Sequence, residues 1–263
     1  MTDGGTPYGG WMSMPFYGRV AIISLVIYAA ALMVFGMLLA VQGTVASLAF
    51  VAPFAIVSLV LAVLAWRLGM RMVLTLGIWA VLNLLFHGPF LVPALGRVNS
   101  FFDFGTVIPV IAALAVTAVA GVVAFVQQRK DAARAEGTAG ERRMLSGVAV
   151  IVVLLMAASG IANLAGLESV SAEERAGAIK VDMKNTEFDP AEIRIAAGQP
   201  ARLVIKNRDL ATHTFTVDTL GIDVSFIPGT EKIVDLSVLN AGTYVYICAI
   251  EGHEEMKGTI VVL

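Results

Sequence analysis

The chain's 263 residues include one cysteine and three histidines, and the cysteine shares a short stretch with one of those histidines. In Tyr244-Val245-Tyr246-Ile247-Cys248-Ala249-Ile250-Glu251-Gly252-His253-Glu254-Glu255-Met256, a thiol, an imidazole and a thioether follow one another as Cys-x4-His-x2-Met. A second imidazole stands upstream at His213, in Ala211-Thr212-His213-Thr214-Phe215. A thiolate and two imidazole nitrogens in one plane, with a weak axial thioether, suit a single copper ion. Zinc is more often met by several cysteines or a tetrahedral Cys/His set, and this sequence supplies neither.

The flanking pattern indicates how such donors are held. Tyr244, Tyr246 and Cys248 alternate, so on a strand they share one face. Gly252 lets the chain turn, so that His253 and Met256 fold back over the strand end. The run 259–263 is β-branched and apolar, as in a buried closing strand. His213 opens another strand. Seven strands are expected, at 178–184, 192–196, 201–207, 213–218, 232–238, 243–249 and 259–263, and this spacing suits an antiparallel Greek-key sandwich.

The closing segment, Tyr244-x-Tyr246-x-Cys248, then the donor loop, then Gly258-x-Ile260-x-Val262, resembles the cupredoxin family of plastocyanin, azurin and amicyanin. Phe188-Asp189-Pro190-Ala191-Glu192-Ile193-Arg194-Ile195, Gly198 and Asn207-Arg208-Asp209 resemble the first half of that fold. The likeness covers residues 178–263. It implies a type I blue-copper site with His213, Cys248, His253 and Met256 as ligands. It also implies a Thr214 amide bonded to the thiolate, with Asn207 and Tyr246 as supporting residues. Many relatives place the methionine four residues beyond the second histidine, after a glycine; here the gap is two, as in amicyanin-like loops. Met256 is therefore the expected axial ligand, with Glu254 or Glu255 as the alternative.

The rest of the chain belongs to another medium. The sequence is 58% hydrophobic and 14% charged, far too apolar for an ordinary soluble protein. Its formal charge is +4 over residues 1–166 and −6 over 167–263. Five stretches approach or exceed the roughly 20 apolar residues that a bilayer crossing needs: 20–41, 45–66, 72–95, 106–126 and 145–165. Gln42-Gly43-Thr44 leaves room only for a tight turn between the first two. Small residues at Ala113, Thr117 and Gly121 would let helices approach closely. The expected organisation is a cytoplasmic tail (1–19) with interfacial aromatics Tyr8, Trp11, Phe16 and Tyr17, a five-helix transmembrane bundle (20–166), a polar linker (167–177) and an all-β cupredoxin sandwich (178–263). The run from Val20 is longer than a signal-peptide core, and no cleavage site follows it.

Orientation follows from the cations. Arg19, Arg67, Arg71, Arg129, Lys130, Arg134, Arg142 and Arg143 mark one side, and only Arg97 lies on the connections of the other. By the positive-inside rule the N-terminus is cytoplasmic, and five crossings put the copper domain outside, in a multi-pass protein of a prokaryotic inner membrane. His87 is the sole histidine of the helices, and Asn83 shares its helix face four residues earlier. An intramembrane histidine could touch a quinol, a metal in transit or a partner subunit; the plainer alternative is an interhelical hydrogen bond.

These residues point to one-electron transfer rather than catalysis. Copper oxidases and nitrite reductases of this family need further histidines for a second centre, and a binuclear site needs a second bridging thiolate. In the family the loop histidine, here His253, lies near the surface as the electron port. Glu251, Glu254 and Glu255 around it would steer a basic partner such as a c-type cytochrome or an oxidase subunit. The alternative is copper capture, delivery or sensing, with the helices as anchor or as docking surface for other membrane subunits. Nucleic acid is excluded as a partner by the acidic β region.

Overall fold

The computed structural model describes residues 14–41, 45–130 and 134–263. Five long helices come first: α1 (Phe16–Val41), α2 (Val45–Leu68), α3 (Val73–Leu95), α4 (Thr106–Arg129) and α5 (Ala139–Ala165). A one-turn helix α6 (Ala172–Arg175) leads into nine strands. They are β1 (Ile179–Lys184), β2 (Glu187–Asp189), β3 (Glu192–Ile195), β4 (Ala201–Asn207), β5 (His213–Val217), β6 (Ile222–Phe226), β7 (Glu231–Leu236), β8 (Gly242–Ile247) and β9 (Lys257–Val262). The chain divides into two compact units, one dominated by the helices and one holding all the strands.

In the helical unit α1 begins at Phe16, inside the segment expected to be tail; the rest of that tail (1–13) and the 42–44 turn lie outside the described residues. A 3₁₀ turn over Gly69–Met72 joins α2 directly to α3. Gly69 takes φ +67° there, a left-handed value that glycine adopts without strain. Counted as continuous apolar helix, the described residues therefore give four stretches long enough to cross a membrane: 16–40, 48–95, 101–129 and 139–165. α4 passes close to α3 at a small residue: a Cβ on Gly121 would stand 2.9 Å from the Gly77 backbone of α3. Buried and half-buried side chains tie the helices by hydrogen bonds: Thr117 to Ser24 (2.9 Å), Tyr28 to Asn83 (2.7 Å) and Trp79 to Ser58 (2.9 Å). In a medium without water, polar groups find partners on neighbouring helices in this way.

The segment expected to be a polar linker has structure of its own. Ser171 and Glu174 form a reciprocal capping box at the start of α6, which satisfies two orphan amide donors. The Glu231 amide donates to the Glu168 carbonyl at 3.0 Å, and Arg175 pairs with Glu231. The approach of the chain to the sheet is therefore bonded to β7.

The strands form two sheets, ordered β2-β1-β4-β7 and β3-β9-β8-β5-β6. Between them lies a core that includes Val181, Met183, Phe188, Ile193, Leu203, Ile205, Phe215, Phe226, Tyr246 and Ile260. The sandwich is not purely antiparallel as expected: β1 pairs with β4 and β3 with β9 in parallel. Both parallel pairs join strands far enough apart in sequence for a long crossover, as parallel pairing requires. β2 and β6 complete the sheets beyond the seven expected strands. β2 has only three residues, too few to show a period. β6 alternates Ile222, Val224 and Phe226 with Asp223 and Ser225, a half-buried pattern on the edge of its sheet.

Candidate metal centre

Two neighbouring strands deliver the donors. β5 begins with His213, and β8 runs antiparallel beside it with Thr216 opposite Ile247. The next residue, Cys248, therefore emerges beside the first residues of β5. The chain then turns back into β9. Cys248 N–H donates to the Met256 carbonyl (2.9 Å), His253 N–H to Ile250 and Met256 N–H to His253. Gly252 adopts φ +87° in this turn, where a Cβ would be strained.

This closure brings His213, Cys248 and His253 together. Cys248 Sγ lies 3.8 Å from His213 Nδ1 and 3.5 Å from His253 Nδ1, and the two nitrogens are 3.2 Å apart. His213 is fully buried and Cys248 is 4% exposed, while His253 is only partly covered. Met256 is fully buried in the same core cluster as Cys248. Glu251, Glu254 and Glu255 all point to solvent. Glu254 accepts from the Gly252 amide (2.9 Å), and Glu255 lies 3.7 Å from Lys257.

The electrostatics prepare the thiol for a metal. Burial pushes the Cys248 thiol up, but hydrogen bonds with His213 and His253 and with the amides of Thr214 and Ile250 outweigh it, bringing it down to about 5. The Thr214 amide donates to Sγ at 3.4 Å. His213 moves the other way: burial lowers it, yet the bond to Asp209 and the neighbouring Cys248 raise it to about 9. Such a thiolate is the metal-binding form of cysteine.

Asp209 is a supporting residue that sequence reasoning missed. Its Oδ2 lies 2.9 Å from His213 Nε2, and its two oxygens accept from the amides of Asn185 (2.8 Å) and Thr186 (2.9 Å). Those residues form the β1–β2 turn, both with positive φ. Asp209 stands four residues before His213, but on a loop rather than a helix, so the spacing carried no signal. Asn207 acts one step further back. Its Oδ1 accepts from Asp209 N–H (2.9 Å), and its Nδ2 donates to the Ala211 and Phe226 carbonyls (both 2.8 Å). Tyr246 touches no donor atom among these contacts. It packs against Phe188 and Phe215 with ring centroids 4.8 Å away and bonds to the carbonyls of Pro190 and Ala191.

His87 and Asn83 belong to the helical unit. Asn83 is engaged by Tyr28 and donates to the Trp79 carbonyl (2.8 Å). His87 is buried among Phe50, Phe54 and Phe86, and its Nε2 has no hydrogen-bond partner among the described residues.

The donor set fits one copper ion. A depressed thiol and two imidazoles converge, and the second nitrogen of His213 is already committed to Asp209, leaving Nδ1 toward the sulfur. Soft thiolate with imidazole is the combination that copper favours. Residues 147–262 match the family model described as the cupredoxin-like domain, so the chain carries a cupredoxin-like domain in its C-terminal part. Among solved structures, the chain is similar to an auracyanin from Roseiflexus castenholzii (18% identity, 33% of this chain and 97% of that one, TM-score 0.30). It is also similar to auracyanin A from Chloroflexus aurantiacus (21%, 33% and 98%, TM-score 0.28) and to an amicyanin variant (26%, 34% and 84%, TM-score 0.26). No curated protein matches the chain.

Proposed function

We propose that this protein is a membrane-anchored one-electron carrier. His213, Cys248 and His253 would hold its copper ion, with Met256 as the fourth candidate donor. The observation that carries this is the convergence of Cys248 Sγ with the Nδ1 atoms of His213 and His253 in a cupredoxin-like domain. Met256 is preferred over the glutamates because it is buried beside Cys248, whereas Glu254 bonds the loop backbone and Glu255 faces Lys257. Bound there, copper supplies a Cu(I)/Cu(II) couple. The chain's own residues hold the donors in place: Asp209 fixes the ring of His213, the Thr214 and Ile250 amides hold the sulfur, and the loop bonds set His253. His253 alone among the three is partly exposed, which supports its role as the contact for a redox partner.

The helices anchor this domain, with the N-terminus cytoplasmic and the copper site on the outer face of a prokaryotic inner membrane, as the cation distribution indicates. The partner class is a c-type cytochrome or an oxidase subunit. Beyond Cys248, His213 and His253 the β unit has no further cysteine or histidine for a second copper centre, which supports electron transfer over catalysis. The test is the absorption spectrum of the copper-loaded, detergent-solubilised full chain. An intense visible thiolate-to-copper band, bleached reversibly by ascorbate, is expected. A colourless, weakly held Cu(I) would overturn electron transfer in favour of copper delivery.

A further inference from the structure

The outer face of β5 carries two threonines at alternate positions, Thr214 and Thr216, 8% and 7% exposed. Asp223 of β6 stands opposite Thr216 in the antiparallel register and faces solvent. Four groups then line up at bonding distance. Ala249 N–H lies 2.7 Å from Thr214 Oγ1, Thr214 Oγ1 lies 2.9 Å from Thr216 Oγ1, and Thr216 Oγ1 lies 2.8 Å from Asp223 Oδ1. The carboxylate only accepts, and each hydroxyl has one proton, so the donor order is fixed. Thr216 donates to Asp223, Thr214 donates to Thr216, and Thr214 accepts from Ala249.

We propose that Asp223, Thr216 and Thr214 form a hydroxyl relay that locks the Cys248 turn onto the strand bearing His213, making Thr216 and Asp223 positioning residues for the metal centre. The positioning role rests on the copper site proposed above. Thr214 grips the cysteine from two sides: its amide donates to Sγ (3.4 Å) and its hydroxyl receives the amide of the following residue. A free hydroxyl could rotate away from Ala249; one that must donate to Thr216 cannot. The charge at the far end strengthens each bond along the chain. The relay thus crosses from β6 through β5 to the end of β8, perpendicular to the strands, and fixes the separation of the two strands that carry Cys248 and His213.

The test compares Thr216→Val and Asp223→Ala with the hydroxyl- and acceptor-keeping variants Thr216→Ser and Asp223→Asn, all in the full chain in detergent. Amide exchange at Ala249 is measured on metal-free protein; the visible band and copper retention against a chelator are measured on loaded protein. Thr216→Val and Asp223→Ala are expected to speed Ala249 exchange about tenfold, the loss of one ordinary hydrogen bond. They should also shift the visible band and weaken copper retention about tenfold. Thr216→Ser should stay near wild type, and Asp223→Asn, which keeps the acceptor but loses the charge, should fall between wild type and Asp223→Ala. Unchanged Ala249 exchange in Asp223→Ala, a change at an exposed site, overturns the relay whether or not copper binds. Faster exchange with an unaltered band and unaltered retention overturns the positioning role. A wild-type chain that shows no thiolate band refutes the copper site itself, while the exchange comparison still decides the relay.

Discussion

Asp209 Oδ2 lies 2.9 Å from His213 Nε2, with the two side chains 5% and 1% exposed. A carboxylate that holds the far nitrogen of a metal-binding imidazole fixes its tautomer and its ring plane. The carboxylate is itself held by the Asn185 and Thr186 amides of a left-handed turn. The geometry of a surface hairpin is thus passed through one acidic side chain to the donor atom facing Cys248.

Asp209→Ala removes that support. It is expected to weaken copper binding by about 10–100-fold. It should also destabilise the sandwich by about 1–3 kcal/mol, because it leaves the turn amides and a buried imidazole nitrogen without their partner. Chelator competition and urea unfolding of the metal-free protein measure the two effects. Full copper affinity in Asp209→Ala would show that His213 is held by other means.

The metal-free protein should have an uneven pH profile. Cys248 falls from an ordinary 9.0 to about 5 in the folded state. Its contribution to stability is complete above pH 9 and is lost as pH falls through about 5. His213 rises from 6.5 to about 9. Its contribution is complete below pH 6.5 and is lost as pH rises through about 9. Between 6.5 and 9 the two slopes oppose each other, so the melting temperature of the β unit is expected to stay level. Between 6.5 and 5 only the thiolate slope remains, and the melting temperature should drop. A steep change across the upper interval would contradict a paired thiolate and imidazolium.

Gly258 is required by contact rather than by turn geometry. A Cβ there would run into the Tyr246 ring and hydroxyl and the Ala191 carbonyl. The backbone has little room to move, because Thr259 N–H donates to Ala191 at 2.8 Å and Gly258 is registered opposite Tyr246. Gly258→Ala is therefore expected to cost about 1–3 kcal/mol through overpacking, read as a lower urea midpoint with an unchanged slope. Wild-type stability would mean that Tyr246 repacks freely.

What the sequence made legible follows from how local each signal is. The donor loop was readable because Cys248, His253 and Met256 fall within nine residues of each other, and the alternation of Tyr244, Tyr246 and Cys248 gave the strand face. His213 was readable only through its type and through the resemblance. Asp209 was not, since its role arises where a loop, a hairpin turn and a strand meet. Thr216 and Asp223 escaped for the same reason: their partnership is a cross-strand register, and β6 itself had not been assigned. In the helices, apolar length was plain, but the continuous passage from α2 to α3 depends on one left-handed glycine, Gly69, within a short polar interruption.

The charges beside His253 give the last test. Glu255 shares its field with Lys257 at 3.7 Å, which leaves Glu251 and Glu254 as the stronger sources of negative potential on this rim. The Gly252 amide, bonded to Glu254, holds its carboxyl below the usual range, so it is ionised throughout the physiological interval. Replacing both by glutamine keeps size and hydrogen-bonding capacity but removes two charges. Exposed charges act mainly on encounter rates. The double variant Glu251→Gln/Glu254→Gln should therefore slow electron transfer to a basic c-type cytochrome several-fold at low salt and leave the visible spectrum unchanged. The difference should vanish as salt shortens the screening length to a few ångströms, about 3 Å at 1 M. Stopped-flow mixing across ionic strength decides it: equal rates for variant and wild type at low salt would mean that the partner docks elsewhere or carries no basic face.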